Sequence, residues 1–392
     1  MIDQAIPKKD CTGCKMCADA CPKAAIRFET DSEGFWFPAV REDLCVRCGI
    51  CVKRCPVLTP SGAESGHAEH PAAYAARAKD TALRRESTSG GVFGVLAAAV
   101  LRRGGCVAGA VLDENLRVRH IFADSPAQLA PLRGVKYVQS DTAEIYRETK
   151  SRLDAGKAVL FAGTTCQNAA LAAYLGRAYE QLFLCDFVCH GVPSPGAFES
   201  YKQMLEKRHG AALTGLRFRD KRVSWRESGM CAAFADGKAE FFKGMDSAWT
   251  KAYLGAKTLV RPSCFACRFK QLPRVSDVTL ADFWGIEAVD AALDDGLGTS
   301  ALLIHSEKGR RLLAMAQEEL ELTKTDVDAV YRGNPCLLES TIPGAKRAEF
   351  LAGLNRHGFG EMLAEVLRPS LGQRVRAGAA GVAACWKHKP ST

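Results

Sequence analysis

The chain is 392 residues long, 47% hydrophobic and 25% charged, with 17 cysteines and a net charge of +9. That length and composition suit a water-soluble protein of two or three domains with a sizeable core. The start lacks the basic-then-apolar pattern of a signal peptide, the longest apolar stretch (residues 91–101) is too short to span a bilayer, and the cysteine number is odd. Together these argue against a disulfide framework and for a cytoplasmic protein whose cysteines are mostly ligands.

The first 56 residues carry the strongest signal. Cysteines stand at 11, 14, 17 and 21, followed by Pro22, and again at 45, 48, 51 and 55, followed by Pro56. This is C-x2-C-x2-C-x3-C-P written twice, the bacterial ferredoxin run, in which three thiolates hold one cluster and the fourth crosses to the other. The spacing assigns Cys11, Cys14, Cys17 and Cys55 to one [4Fe–4S] centre, and Cys45, Cys48, Cys51 and Cys21 to a second. Zinc, which closes with four ligands in two separated pairs, does not account for three evenly spaced cysteines repeated twice.

A Pro/Gly/Ser/His-rich stretch follows and reads as a linker over 58–71. Beyond it, strand and helix patterns alternate: strand 72–78, helix 91–103, strand 106–113, helix 141–156, strand 157–163, helix 166–176 and strand 181–189. Such alternation predicts an α/β domain with a partly parallel sheet. Residues 213–220 and 229–244, the latter with an Asp236-Gly237 turn signal, read as an inserted antiparallel part.

Cys166 stands just past one predicted strand and Cys189 at the end of the next. Ligands collect beyond the carboxyl ends of strands in open α/β sheets, so if those strands are neighbours both thiols face one crevice. Cys264 and Cys267 form a C-x-x-C pair without a second pair nearby. They can complete a third cluster with Cys166 and Cys189, bind zinc, or stay free. His190, adjacent to Cys189, is set aside as a nucleophile partner, because neighbouring side chains point apart.

Six segments occur in order: STSGGVFGVLA, GVKYVQSD, VLFAGTTCQ, CHGVPSP, RPSCFACRFK and SDVTLADFWG. On these the chain resembles the coenzyme F-420 hydrogenase/dehydrogenase beta-subunit family, in its branch with a fused dicluster ferredoxin. The resemblance implies an iron–sulfur flavoprotein with FAD beside a third [4Fe–4S] cluster on Cys166, Cys189, Cys264 and Cys267. Thr165 stands where the family usually has proline. Twelve ligand cysteines would then leave Cys106, Cys185, Cys231, Cys336 and Cys385 as spares. Three clusters carrying about −6 and an FAD pyrophosphate carrying about −2 would offset the basic excess, so it is not read as a nucleic-acid footprint.

No G-x-G-x-x-G fingerprint is present. The helix start at residues 84–91 suits an anion, and the resemblance makes FAD phosphate its occupant, with Ser87, Ser89, Gly90 and Gly91 as contacts. The alternative is a capped glycine turn. Lys136 is placed at the flavin's pyrimidine edge or, equally, at a solvated strand end. Arg217, Arg219, Lys221 and Arg222 beside Trp225 read as a basic solvated hairpin or as a surface for an acidic substrate or the FAD phosphates. Asp282 and Trp284 are expected to line the crevice, and no general acid is assigned.

The expected architecture is an α+β dicluster ferredoxin domain (1–57), the linker, an α/β flavin-binding domain with an antiparallel insertion (72–365) and a basic tail (366–392). The expected activity passes electrons from ferredoxin or another low-potential donor, through the clusters and FAD, to a small two-electron organic acceptor, possible among them a deazaflavin. The alternative is a non-catalytic electron-transfer subunit of a larger hydrogenase or dehydrogenase complex. The tail, with five basic residues and no acidic one, suits either a loose segment or docking to an acidic partner. No oligomeric state is assigned.

Overall fold

The computed structural model describes residues 1–60 and 67–368. The N-terminal unit keeps the sequence repeat in its backbone. Each cluster loop places left-handed residues at the same two positions: Gly13 (φ 67°) and Lys15 (φ 60°) in the first, Arg47 (φ 52°) and Gly49 (φ 75°) in the second. Glycine serves one such position in each loop and a strained side chain the other, in opposite order. Short helices follow at Met16–Asp19 and Ile50–Lys53. Strands β1 (Ile26–Thr30) and β2 (Trp36–Val40) pair antiparallel between the loops.

In the body, β3 (Ala72–Ala78), β4 (Cys106–Leu112), β5 (Val118–Ala123), β6 (Val159–Ala162) and β7 (Leu182–Phe187) come first. Next are β8 (Leu213–Asp220), β9 (Gly229–Phe234) and β10 (Ala239–Lys243), a separate antiparallel sheet whose last turn holds Gly237 at φ 82°. β11 (Val278–Asp282), β12 (Ser300–Ile304) and β13 (Leu320–Thr325) return to the main sheet. Its order is β13-β3-β12-β11-β7-β6-β4-β5. The pairs β4–β6, β6–β7 and β7–β11 are parallel, and the flanking pairs are antiparallel. The chain is therefore a dicluster ferredoxin unit followed by a mixed α/β domain with an antiparallel part.

Alternation along these strands builds two cores. Cys106, Ala108, Val159, Phe161, Leu182 and Leu184 face the side on which the ferredoxin unit packs. Val107, Leu160, Phe183 and Cys185 face the opposite side, with helix Val92–Arg102. Both faces are covered, which is why β6 and β7 read as continuous apolar runs. β5, the helices Thr81–Glu86 and Pro195–His209, and β11 with the elements after it have no counterpart among the predicted elements. β5 has a half-exposed polar face, and Pro195–His209 has only a weak apolar stripe. The helix Arg347–Leu367 runs into the segment read as tail, and residues 369–392 lie outside the described residues.

Of the linker, residues 61–66 lie outside the described residues. His67, just beyond, donates from Nδ1 to the Arg274 carbonyl at 2.6 Å.

Candidate functional site

Register explains how distant cysteines meet. β6 and β7 are adjacent, with Ala162 opposite Cys185, so the turns after them leave the sheet side by side. The first carries Thr164, whose capping box with Gln167 starts the helix Thr165–Leu175 and places Cys166 in its first turn. The second carries Cys189. A backbone bridge joins Pro193 to Val260, and Arg261 N–H donates to the Val192 carbonyl at 3.0 Å, which lays the C-x-x-C loop against the Cys189 turn. Gly191 (φ 105°) permits the approach, because a Cβ there would stand 3.0 Å from the Cys264 Cβ. The Cys267 N–H donates to Ser340 Oγ at 2.9 Å.

Cys166, Cys189, Cys264 and Cys267 consequently line a single cavity, with Thr12, Lys270 and Arg274 among its other walls. Burial first, then the neighbouring thiols, push Cys166 well above its ordinary pKa and Cys189 up to about 12. Burial also raises Cys264. Deprotonating Cys166, Cys189 and Cys264 there calls for a strongly positive centre, and thiolate is the form that binds iron. The Gly191 N–H donates to Cys189 Sγ at 3.3 Å, and Thr164 Oγ1 lies 3.1 Å from Cys166 Sγ. Arg274, 2% exposed, spans the wall by donating to Thr165 Oγ1 at 2.7 Å and Asp186 Oδ2 at 2.9 Å.

Thr12 makes the ferredoxin unit part of this cavity. Beside it, burial and the charges of Cys11 and Cys55 push Cys14 up to about 12, and burial with Cys14, Cys11 and Cys55 raises Cys17. These four are the set spacing assigned to one centre. Cys21, Cys45, Cys48 and Cys51, the other set, line a separate cleft formed by residues of the ferredoxin unit alone. There Cys48 is exposed and Val46 is 58% exposed.

The residues suggested for a flavin phosphate form one turn. Ser87 Oγ donates to the Leu83 carbonyl (2.7 Å) and Ser89 Oγ to the Thr299 carbonyl (2.9 Å). The Gly90 N–H donates to Ser300 Oγ at 3.0 Å, and Gly91 enters the helix Val92–Arg102 left-handed, with no side-chain cap. The hydroxyl protons are thus committed within the protein, and the helix terminus is what the turn offers an anion. Thr88 Oγ1 accepts from the Val135 N–H at 2.9 Å, bringing the Lys136 loop alongside. Lys136 Nζ donates to the Pro131 and Arg133 carbonyls (2.8 and 2.9 Å), and burial pulls its pKa down to about 7.

The sequence reads Lys221 as one charge of a basic hairpin or of a surface for an acidic substrate or the FAD phosphates. Its Nζ donates to the Arg84, Ser89 and Leu297 carbonyls at 2.5, 2.9 and 2.6 Å. It therefore clamps the Ser87–Gly91 turn from behind. Burial, then Arg219 and Arg84, lower its pKa to about 7. In the same run, Arg219 pairs with Asp282, and Asp282 Oδ1 accepts from the Trp225 indole N–H at 3.0 Å. Trp225 stacks on Trp284 at 4.5 Å. Arg222 is held by Asp220. His190 lies 3.4 Å from Cys336 Sγ through Nδ1. Apart from the Arg222–Asp220 pair, which is local, these partnerships have no local sequence signal, because each joins segments far apart in the chain.

Residues 10–58 match a family model described as a 4Fe-4S dicluster domain. Residues 73–147 and 156–330 match the N-terminal and C-terminal models of the coenzyme F420 hydrogenase/dehydrogenase beta subunit. A ferredoxin-type protein, NapF, of Haemophilus influenzae is 48% identical over 44 residues, 11% of this chain and 25% of that protein. An uncharacterized ferredoxin of Methanocaldococcus jannaschii is 31% identical over 55 residues, 14% of this chain and 70% of that one. The chain thus spans a quarter of the length of the first relative. A chain of the F420-reducing [NiFe] hydrogenase complex from Methanosarcina barkeri superimposes with a TM-score of 0.45 at 15% identity, covering 78% of this chain and 95% of that one. With an iron–sulfur dicluster domain at its N-terminus and both halves of the beta-subunit model following in order, the chain belongs to the coenzyme F420 hydrogenase/dehydrogenase beta-subunit family.

Proposed function

We propose that the protein is an iron–sulfur flavoprotein that moves electrons between a one-electron carrier and a two-electron organic acceptor. The observation that carries this reading is the single cavity lined by Cys166, Cys189, Cys264 and Cys267, with Thr12 of the ferredoxin unit in its wall. Those four cysteines hold a third [4Fe–4S] centre in this reading.

The three cysteine sets then form a series. The set with the exposed Cys48 (Cys21, Cys45, Cys48, Cys51) is where a carrier can approach. Cys11, Cys14, Cys17 and Cys55, three of them buried, come next, and Thr12, within their loop, reaches the cavity set. When bound, clusters carry single electrons while a flavin accepts one or two, so the flavin belongs between the clusters and the acceptor. The Ser87–Gly91 turn and the helix terminus at Val92 hold the FAD phosphates, Lys221 keeps that turn in place, and Lys136 stands by the ring. Asp282, Arg219 and Trp284 border the acceptor side. A deazaflavin is one acceptor consistent with the family.

A second reading, a subunit of a larger hydrogenase or dehydrogenase assembly, draws on the family description as a beta subunit and on the exposed Val46–Cys48 face. Anaerobic purification with iron, sulfide and flavin analysis tests the first, followed by turnover from reduced ferredoxin or dithionite to a deazaflavin and to unsaturated organic acceptors. Turnover by the isolated chain supports it. Bound clusters with no flavin and no turnover overturn it. Co-purification with a large subunit from the native source supports the second.

A further inference from the structure

Cys11–Cys21 and Cys45–Cys55 are two copies of one cluster loop, but the body covers only the first. Its side chains donate to three carbonyls there: Arg261 Nε to Cys11 at 2.7 Å, Gln139 Nε2 to Gly13 at 3.2 Å and Thr142 Oγ1 to Cys14 at 2.7 Å. Through that contact the first loop meets the cavity set, with Thr12 in the cavity wall. The matching carbonyls of the second loop, on Cys45, Arg47 and Cys48, receive no donor from the described residues. Val46, the counterpart of Thr12, is 58% exposed, and Cys48 is exposed where Cys14 is half-buried.

The strained side chain of each loop shows the same difference. Left-handed Lys15 (φ 60°) is held by the body, pairing with Asp141 at 2.7 Å. Left-handed Arg47 (φ 52°) has no ion pair among the described residues, although glycine, which the first loop uses at the matching position 13, would sit there without strain. A side chain kept in a strained conformation points to a function for it. Lys23 and Lys53, both exposed, are likewise without an ion pair among the described residues. Lys23 and Arg47 share the cleft wall with one acid, Glu42, while Arg41 and Asp43 pair with each other at 3.6 Å. The uncovered face is therefore basic around an apolar centre.

We propose that the Cys45–Lys53 loop is the docking face for an acidic one-electron carrier protein, with Val46 at its centre and Lys23, Arg47 and Lys53 around it. The inference rests on the iron–sulfur reading above and names the carrier's side of it. In that reading the first loop meets a redox centre of its own chain, and the second presents the same edge to a centre on another molecule. On docking, the carrier gives up one electron and the centre held by Cys21, Cys45, Cys48 and Cys51 takes it, with no atom transferred. Electron-transfer encounters are small, so opposite charge acts mainly on how fast they form.

The test is stopped-flow reduction of the cluster-loaded full chain by a reduced acidic [2Fe–2S] ferredoxin. Arg47→Gly removes a charge together with the backbone strain, and Lys53→Gln removes a second charge. The double variant should keep its iron and its full reduction by dithionite, yet be reduced by the ferredoxin about tenfold more slowly at low salt and nearly as fast as the parent at high salt. Val46→Glu should slow that reduction at least as much, and Lys324→Gln, on the edge strand β13, should leave it unchanged. Parent rates in both loop variants, with iron retained, overturn the docking face, as does an equal loss in Lys324→Gln. A parent chain that dithionite reduces but the ferredoxin does not, and that holds a large subunit over Val46, overturns the carrier in favour of the subunit. These rates read the ferredoxin centres alone. A parent chain with iron but no flavin therefore sinks the flavin reading and leaves the docking face in place.

Discussion

Arg261 donates from Nε to the carbonyl of Cys11 at 2.7 Å, so the residue three before Cys264 is bonded to a cysteine of the ferredoxin run. The same guanidinium, 0% exposed, donates to Gln139 Oε1 at 3.0 Å and the Trp36 carbonyl at 2.9 Å, and lies over the Phe37 ring at 4.3 Å. One side chain thus holds the ferredoxin unit, the Gln139 segment and the C-x-x-C loop in register.

Arg261→Met should leave three acceptors without their donor and destabilise the protein by about 3 kcal/mol, since hydrogen bonds to charged groups contribute about 1.5–3 kcal/mol each and losses within one network do not simply add. Iron should stay bound, because no thiol is removed. Flavin reduction after mixing with dithionite should slow at least severalfold, because the two units no longer hold one geometry. Unchanged rate and stability would show that the contact is incidental.

Iron analysis checks the ligand sets. The reading expects about twelve irons per chain, and Cys264→Ser should lose about four while both ferredoxin centres persist. Cys336→Ser should lose none, although its thiol lies near His190. Full iron in the first variant with loss in the second would reverse the assignment.

Gly90→Ala tests the proposed phosphate turn. An added Cβ would stand 2.5 Å from the Ala76 carbonyl oxygen and 2.8 Å from the Ser300 nitrogen, both backbone atoms of strands that cannot easily retreat. The turn must shift, at about 1–3 kcal/mol. Flavin content should drop while iron content holds. Full FAD occupancy in this variant would place the phosphates elsewhere.

His120 sets part of the acid limit of stability. It stacks on Phe161, with Nε2 3.1 Å from the Ala162 carbonyl and Nδ1 2.8 Å from Ser140 Oγ. Burial, against the smaller opposing pull of that carbonyl and with Lys136 alongside, lowers its pKa to about 4, while Asp141 acts weakly the other way. The folded imidazole is neutral where the unfolded one is charged, so unfolding takes up a proton between about pH 6.5 and 4. Stability should therefore fall as pH drops through that window, by about 1.4 kcal/mol per unit for this group once well below 6.5. His120→Gln should flatten the slope by that amount in denaturant titrations from pH 5 to 7.5. An unchanged slope would mean that the ring is already charged in the folded protein.

The ferredoxin half was legible because its chemistry is local. Three thiolates of one centre come from seven consecutive residues, so the spacing of Cys11, Cys14 and Cys17 already encodes the loop that the left-handed Gly13 and Lys15 complete. Strands β3, β4, β6 and β7 were legible for a similar reason, as largely apolar runs bounded by turns, and the separate β8–β10 sheet through its Asp236-Gly237 turn signal. The cavity was legible only as a condition. Cys166 and Cys189 could meet if their strands were neighbours, and the pairing of Ala162 with Cys185 supplies that neighbourhood. What brings Cys264 beside them is the bridge from Pro193 to Val260, a long-range backbone contact with no local periodicity. Lys221 and Arg261 were hidden more completely. A basic residue in a hairpin and an arginine before proline have ordinary surface readings. Only tertiary packing, by removing water and leaving carbonyls as their surroundings, turned them into a clamp and a fastener.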